Sequence, residues 1–145
     1  MELFHEAENW LESLASEAKF FRDQEKPSLE PMQRALELFG HPDQTFDWRV
    51  VVTGTAGKGT VCRLTEDVLL RSGESLVTLH SPHVQAVTER IRINGKLIDP
   101  EFFGEVIAEV RQKLKGAGMK LTYYEALVMT GLVAGQKSGC KIFIG

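Results

Sequence analysis

Apolar positions recur first at helical spacing: Leu3, Phe4, Ala7, Trp10, Leu11, Leu14, Ala18 and Phe21, with Glu6, Glu8, Glu12, Glu17 and Lys19 between them. That repeat predicts an amphipathic helix whose stripe, widened by Phe20 and containing Trp10, packs against other elements rather than binding a cofactor. Lys26-Pro27-Ser28 interrupts it, and Leu29, Met32, Leu36 and Phe39 predict a shorter second helix that ends at Gly40, before Pro42. The polar segment His41 to Asp47 leads into a first strand, with His41 in a surface loop. Val50, Val51 and Val52 are β-branched and uninterrupted by polar residues, which predicts a buried parallel strand covered on both faces. After a glycine-rich turn, Val61, Leu64, Thr65, Val68 and Leu69 fall on one helical face, and Gly73 is a C-terminal stop. Ser75 to Leu79 reads as the next strand. Strand, helix and strand in this order form a βαβ unit, with parallel strands and a right-handed crossover.

Further on, Ile91, Ile93, Leu97 and Ile98 surround Asn94-Gly95, a hairpin signal of the type I′ kind. Asp99-Pro100 supplies an N-cap and first helical residue, and Phe102, Phe103, Val106, Ile107, Val110 and Leu114 predict the buried stripe of the helix that follows. Lys115-Gly116-Ala117-Gly118 ends it. Thr122-Tyr123-Tyr124-Glu125 fits a capping box, hydroxyl on a helix N–H and carboxylate reaching back. A helix through Leu127, Val128, Leu132 and Val133 then runs to Gly139, and Lys141 to Ile144 reads as a third parallel strand. The expected fold is α/β: a parallel sheet of the P-loop type with flanking helices and a small β-hairpin. Doubly wound sheets normally carry more strands, so the chain is expected to stop within a domain.

Composition narrows the classes. A chain of 145 residues suits one domain with a real core. The formal net charge of −3 gives no basic footprint for nucleic acid. Glu2, Glu6 and Glu8 stand where a secretion signal would carry lysines, and no apolar run reaches membrane-spanning length, which argues against secretion and membrane insertion. Cys62 and Cys140 lie far apart in apolar patterns and read as reduced core thiols of a cytoplasmic protein.

Candidate chemistry concentrates in Thr53-Gly54-Thr55-Ala56-Gly57-Lys58-Gly59-Thr60. Glycines let backbone N–H groups approach a ligand, Lys58 adds a mobile positive charge, and Thr60 offers a hydroxyl to Mg²⁺ or to the following helix. Strand, glycine turn, lysine, hydroxyl and helix together suit a polyphosphate at a helix N-terminus. The spacing departs from G-x-x-x-x-G-K-[ST]: Val52 stands at the first glycine position, and Gly59 separates Lys58 from Thr60. The competing reading is a tight strand-to-helix turn with a solvated lysine. At the end of the second strand, His80-Ser81-Pro82-His83 should lie beside this loop, because ligands gather at the carboxyl ends of parallel strands. Ser81 is then either a Mg²⁺ ligand or part of a common Ser-Pro turn, and the residues alone favour the turn. Arg90 and Arg92 alternate with isoleucines and read as solvent-facing, or as holders of carboxylates or phosphates.

In this order, the glycine loop, Ser81-Pro82-His83, Thr88-Glu89-Arg90-Ile91-Arg92-Ile93-Asn94-Gly95 and Leu121-Thr122-Tyr123-Tyr124-Glu125 resemble the successive signatures of folylpolyglutamate synthase/dihydrofolate synthase, a branch of the Mur ligase superfamily. The resemblance covers roughly residues 9 to 145 and explains the loop spacing, since the family loop reads G-T-N-G-K-G-[ST]. It implies an incomplete Mur ligase ATPase domain with a helical lead-in over 1–47 and the C-terminal ligase domain absent. It further implies ATP-dependent joining of L-glutamate to a folate or dihydropteroate carboxylate through an acyl phosphate, in a monomeric parent. By the resemblance, Gly54, Thr55, Gly57, Lys58, Gly59 and Thr60 contact ATP, with Lys58 catalytic. Ser81 and Thr60 hold Mg²⁺, and Thr122, Tyr124, Glu125, His83 and Arg90 contact substrate. Two departures stand out. Ala56 replaces the family's asparagine, and the chain stops at Gly145, where the family's Glu-Val-Gly-Leu-Gly-Gly segment with its acidic Mg²⁺ ligand would begin. The 145-residue chain is therefore expected to have no synthase activity alone. Another Mur-type amide ligase and a non-catalytic nucleotide-binding module are the alternatives.

Overall fold

The computed structural model describes residues 1–21, 28–83 and 85–145. In chain order the elements are α1 (Glu2–Phe21), α2 (Glu30–Leu38), β1 (Trp48–Val50), α3 (Lys58–Arg71), β2 (Leu76–Leu79), β3 (Ile91–Ile93), β4 (Lys96–Leu97), α4 (Pro100–Gly116), α5 (Tyr123–Lys137) and β5 (Ile142–Ile144). The expected break at Lys26-Pro27 lies outside the described residues, as do the side chains of residues 17–21. The chain forms two compact units, residues 1–41 with 100–130 and residues 42–99 with 131–145.

The first unit is helical. Ala7, Leu11 and Leu14 of α1 and Phe103, Val106, Ile107, Val110 and Leu114 of α4 are buried, each large side chain contributing about 1.5–3 kcal/mol. Gly104 lets the two helices meet: a Cβ there would lie 2.8 Å from both Leu3 C and Phe4 N. On α2 the buried residue is Ala35, while Leu29 is the exposed N-cap. The anticipated capping box forms, with Thr122 N–H and Oγ1 donating to Glu125 Oε2 at 2.8 Å each and Glu125 N–H donating back to Thr122 Oγ1 at 3.3 Å.

The second unit holds the sheet, in the order β1-β5-β2-β3-β4. β5 pairs in parallel with β1 on one side and β2 on the other, so the two strands of the βαβ unit are parallel but not neighbours. β3 and β4 continue antiparallel through the expected hairpin, where Asn94 (φ 48°) and Gly95 (φ 79°) take the left-handed conformation of a type I′ turn. The C-terminal half of α5 lies close on β2 because Gly131 and Gly135 carry no Cβ; one would come within 2.5 Å of Leu79 Cδ2 and Val77 Cγ1 respectively.

Two expectations are corrected here. The Val50–Val52 run is covered on one face only. Val50 and Val52 pack partly against Cys62, Leu76, Ile142 and Ile144, whereas Val51, on the opposite face, is 79% exposed. Of the predicted α3 stripe, Val61, Leu64 and Val68 are exposed and only Leu69 packs partly against the core cluster; Cys62 and Glu66 are the buried residues of the helix.

Candidate functional site

The segment between β1 and α3 makes a turn that its glycines allow. Gly54 (φ 150°) and Gly57 (φ 74°) take conformations that strain L side chains, and Gly57 is the N-cap of α3. The first helical hydrogen bond is Val61 N–H to the Gly57 carbonyl at 3.0 Å, so the N–H groups of Lys58, Gly59 and Thr60 point out of the helix mouth. Among the described residues no side chain caps that mouth. A Cβ added at Gly59 would meet nothing within 4 Å, leaving open space where an anion would approach. Lys58 is exposed and folds back over the loop, its Nζ donating to the Gly54 carbonyl at 2.6 Å. The partial positive charge of the helix end and the ammonium thus converge on one exposed spot.

Because β1, β5 and β2 are parallel, the loop after β1 and the turn after β2 leave the same edge of the sheet. Two strand spacings, about 10 Å, separate them. Ser81 lies exposed in that turn, joined to Pro82 by a cis peptide bond. Its hydroxyl and that of Thr60 are hard oxygen donors of the type Mg²⁺ takes alongside phosphate oxygens and water. Among the described residues no group of three His, Cys, Asp or Glu stands ready to hold a metal.

His83 and Arg90 are brought together, Arg90 Nε donating to His83 Nδ1 at 2.6 Å. That bond makes Nδ1 an acceptor and leaves the ring proton on Nε2. Thr122, Tyr124 and Glu125 belong to the first unit, where Glu125 is engaged in its capping box and Tyr124 is exposed.

No family model matches the chain. A probable bifunctional folylpolyglutamate synthase/dihydropteroate synthase of Haloferax volcanii is 30% identical over 144 residues, which is 97% of this chain and 16% of that protein. The solved E. coli FolC in complex with DHPP and ADP matches at a TM-score of 0.81 and 25% identity, over 95% of this chain and 32% of that one. A bifunctional folylpolyglutamate synthase/dihydrofolate synthase with Mn, AMPPNP and L-glutamate bound matches at a TM-score of 0.75 and 25% identity, over 90% and 32%. The chain belongs to the folylpolyglutamate/dihydrofolate synthase family. It spans about a third of the length of these solved relatives.

The synthase-family chain also holds a charged group that sequence reading missed. Glu66, on α3, is 1% exposed, and its Oε1 accepts from Arg92 Nε at 3.0 Å. Arg92 also donates through an η nitrogen to the Gly95 carbonyl, so it neither faces solvent freely nor waits for a ligand carboxylate. Glu66 Oε2 lies 3.6 Å from His80 Nε2, and neither atom has a hydrogen-bond partner. Burial pushes the His80 imidazole below its ordinary pKa, against the opposing pull of Glu66. The available signal was the spacing of Cys62, Glu66, Leu69 and Leu70, which is itself a helical face with a carboxylate in it. Cys62 and Cys140 are free and buried, as expected of core thiols. Among the described residues no helix is long and apolar enough to cross a membrane.

Proposed function

We propose that this chain is the nucleotide-binding portion of an ATP-dependent ligase that joins L-glutamate to a folate or dihydropteroate carboxylate through an acyl phosphate. The observation that carries the reading is the uncapped mouth of α3, with Gly57 at φ 74° and Lys58 folded over the same loop. The relatives crystallised with ADP, with AMPPNP and Mn, and with L-glutamate support it. In this reading the N–H groups of Gly57 to Thr60 hold the phosphates, with Gly54 and Thr55 shaping the loop around them. ATP, when bound, supplies the phosphoryl group that makes a carboxylate electrophilic. Lys58 offsets the charge that gathers as two anions approach. Ser81 and Thr60 share a Mg²⁺ with the phosphates. His83 and Arg90 act as a pair on the substrate side of the same sheet edge, and Thr122, Tyr124 and Glu125 contact the pterin-bearing substrate. We infer a cytoplasmic location from the two unpaired, buried thiols.

The test is pteroate- and glutamate-dependent phosphate release by the full-length parent. Lys58→Ala should lower kcat by about 10²–10³, the typical cost of one preorganised donor. The 145-residue chain alone should show no turnover. Full activity in the Lys58→Ala protein, or turnover with muramoyl peptides and none with pterins, would overturn the assignment.

A further inference from the structure

Glu66 sits about 12 Å along α3 from the residues at its open mouth, by helical rise. Its carboxylate grips the strand on the far side of the Ser81 turn: Oε1 takes Arg92 Nε at 3.0 Å, and Oε2 faces His80 Nε2 at 3.6 Å. The turn is bound into the same web. His80 N–H donates to the Arg90 carbonyl at 2.8 Å, and Arg90 Nε holds His83. An unbroken series of contacts thus runs from the helix that carries the phosphate mouth, through Glu66, to the segments on both sides of Ser81. Stability alone does not call for it. A buried ion pair is commonly matched or bettered by apolar side chains of similar volume, and here one carboxylate oxygen and one imidazole nitrogen are left without a hydrogen-bond partner. Local rules are broken in this way where a site needs fixing.

We propose that Glu66 is a positioning residue that locks the phosphate-bearing helix to the Ser81 turn, through Arg92 on one carboxylate oxygen and His80 on the other. The proposal rests on the nucleotide and Mg²⁺ placement given above. It states which protein group sets the spacing between them.

The experiment measures ADP affinity of the full-length parent with Mg²⁺ and with EDTA, alongside thermal melting, for Glu66→Leu/Arg92→Met, Glu66→Gln and Lys58→Ala. The double variant replaces the pair by apolar groups and should melt near the unaltered protein. It should bind ADP in EDTA within about twofold, yet lose about tenfold of the affinity gain that Mg²⁺ brings. Glu66→Gln keeps an acceptor for Arg92 and gains a donor for His80, and should restore most of that gain. An unchanged Mg²⁺ gain in the double variant overturns the proposal. So does metal-free ADP binding that falls together with the melting temperature, which marks a role in folding only. If Lys58→Ala binds ADP as well as the unaltered protein, the phosphate placement itself has failed, and the proposal falls with it.

Discussion

At Gly57 the backbone stands at φ 74°, where any L side chain is strained, whereas two residues on Gly59 has ordinary dihedrals and open space around it. The two glycines therefore answer to different demands. Gly57→Ala should cost about 1–2 kcal/mol in urea unfolding, through left-handed strain. Gly59→Ala should leave stability unchanged or raise it by up to about 1 kcal/mol, as alanine does in a helix, while its methyl group fills the mouth and weakens Mg-ADP binding. Titration and melting of the two variants separate the cases. At Cys140, burial pushes the thiol from its ordinary 9.0 up to about 11. Between those values the unfolded chain releases a proton that the folded chain keeps, so this residue's contribution to stability falls as pH rises. The full loss is about 2–3 kcal/mol. Urea unfolding at pH 8.5 and 10.5 should show a smaller decline for Cys140→Ala than for the unaltered chain.

At the level of single elements, local chemistry told most. The capping box opening α5 and the Asn94-Gly95 hairpin form where their residues call for them, because each is closed by neighbours a few residues apart. Faces were harder to read than elements. α3 has two apolar-looking faces, and the one carrying Leu64, which is 62% exposed, is the outward one; the inner face accommodates a carboxylate because Arg92 is there to meet it. Helix contact also turns on details that periodicity does not weigh. Gly104→Ala puts a methyl group against the backbone of Leu3 and Phe4, and α1 must shift off α4. Destabilisation of about 1–3 kcal/mol is expected in thermal or urea unfolding, although alanine is the better helix former.

At the scale of the sheet, β1 is an edge strand among the described residues, with Trp48 on it and Val51 just past its end largely exposed. Such an edge is a template for pairing with another chain. The 145-residue polypeptide should associate as its concentration rises, and Val51→Lys should reduce that association in light scattering without changing the melting temperature by more than a degree or so. By itself the sequence determined the elements, the turns, the left-handed glycines and the placing of a lysine at the start of α3, since all of these follow from residues near one another along the chain. Only the tertiary structure decided that β5 enters between β1 and β2, that β1 is left at the margin, and that Glu66 meets Arg92 across a separation of 26 residues. Strand order and the pairing of buried charges depend on which distant surfaces exclude water together, and one-dimensional spacing does not carry that information.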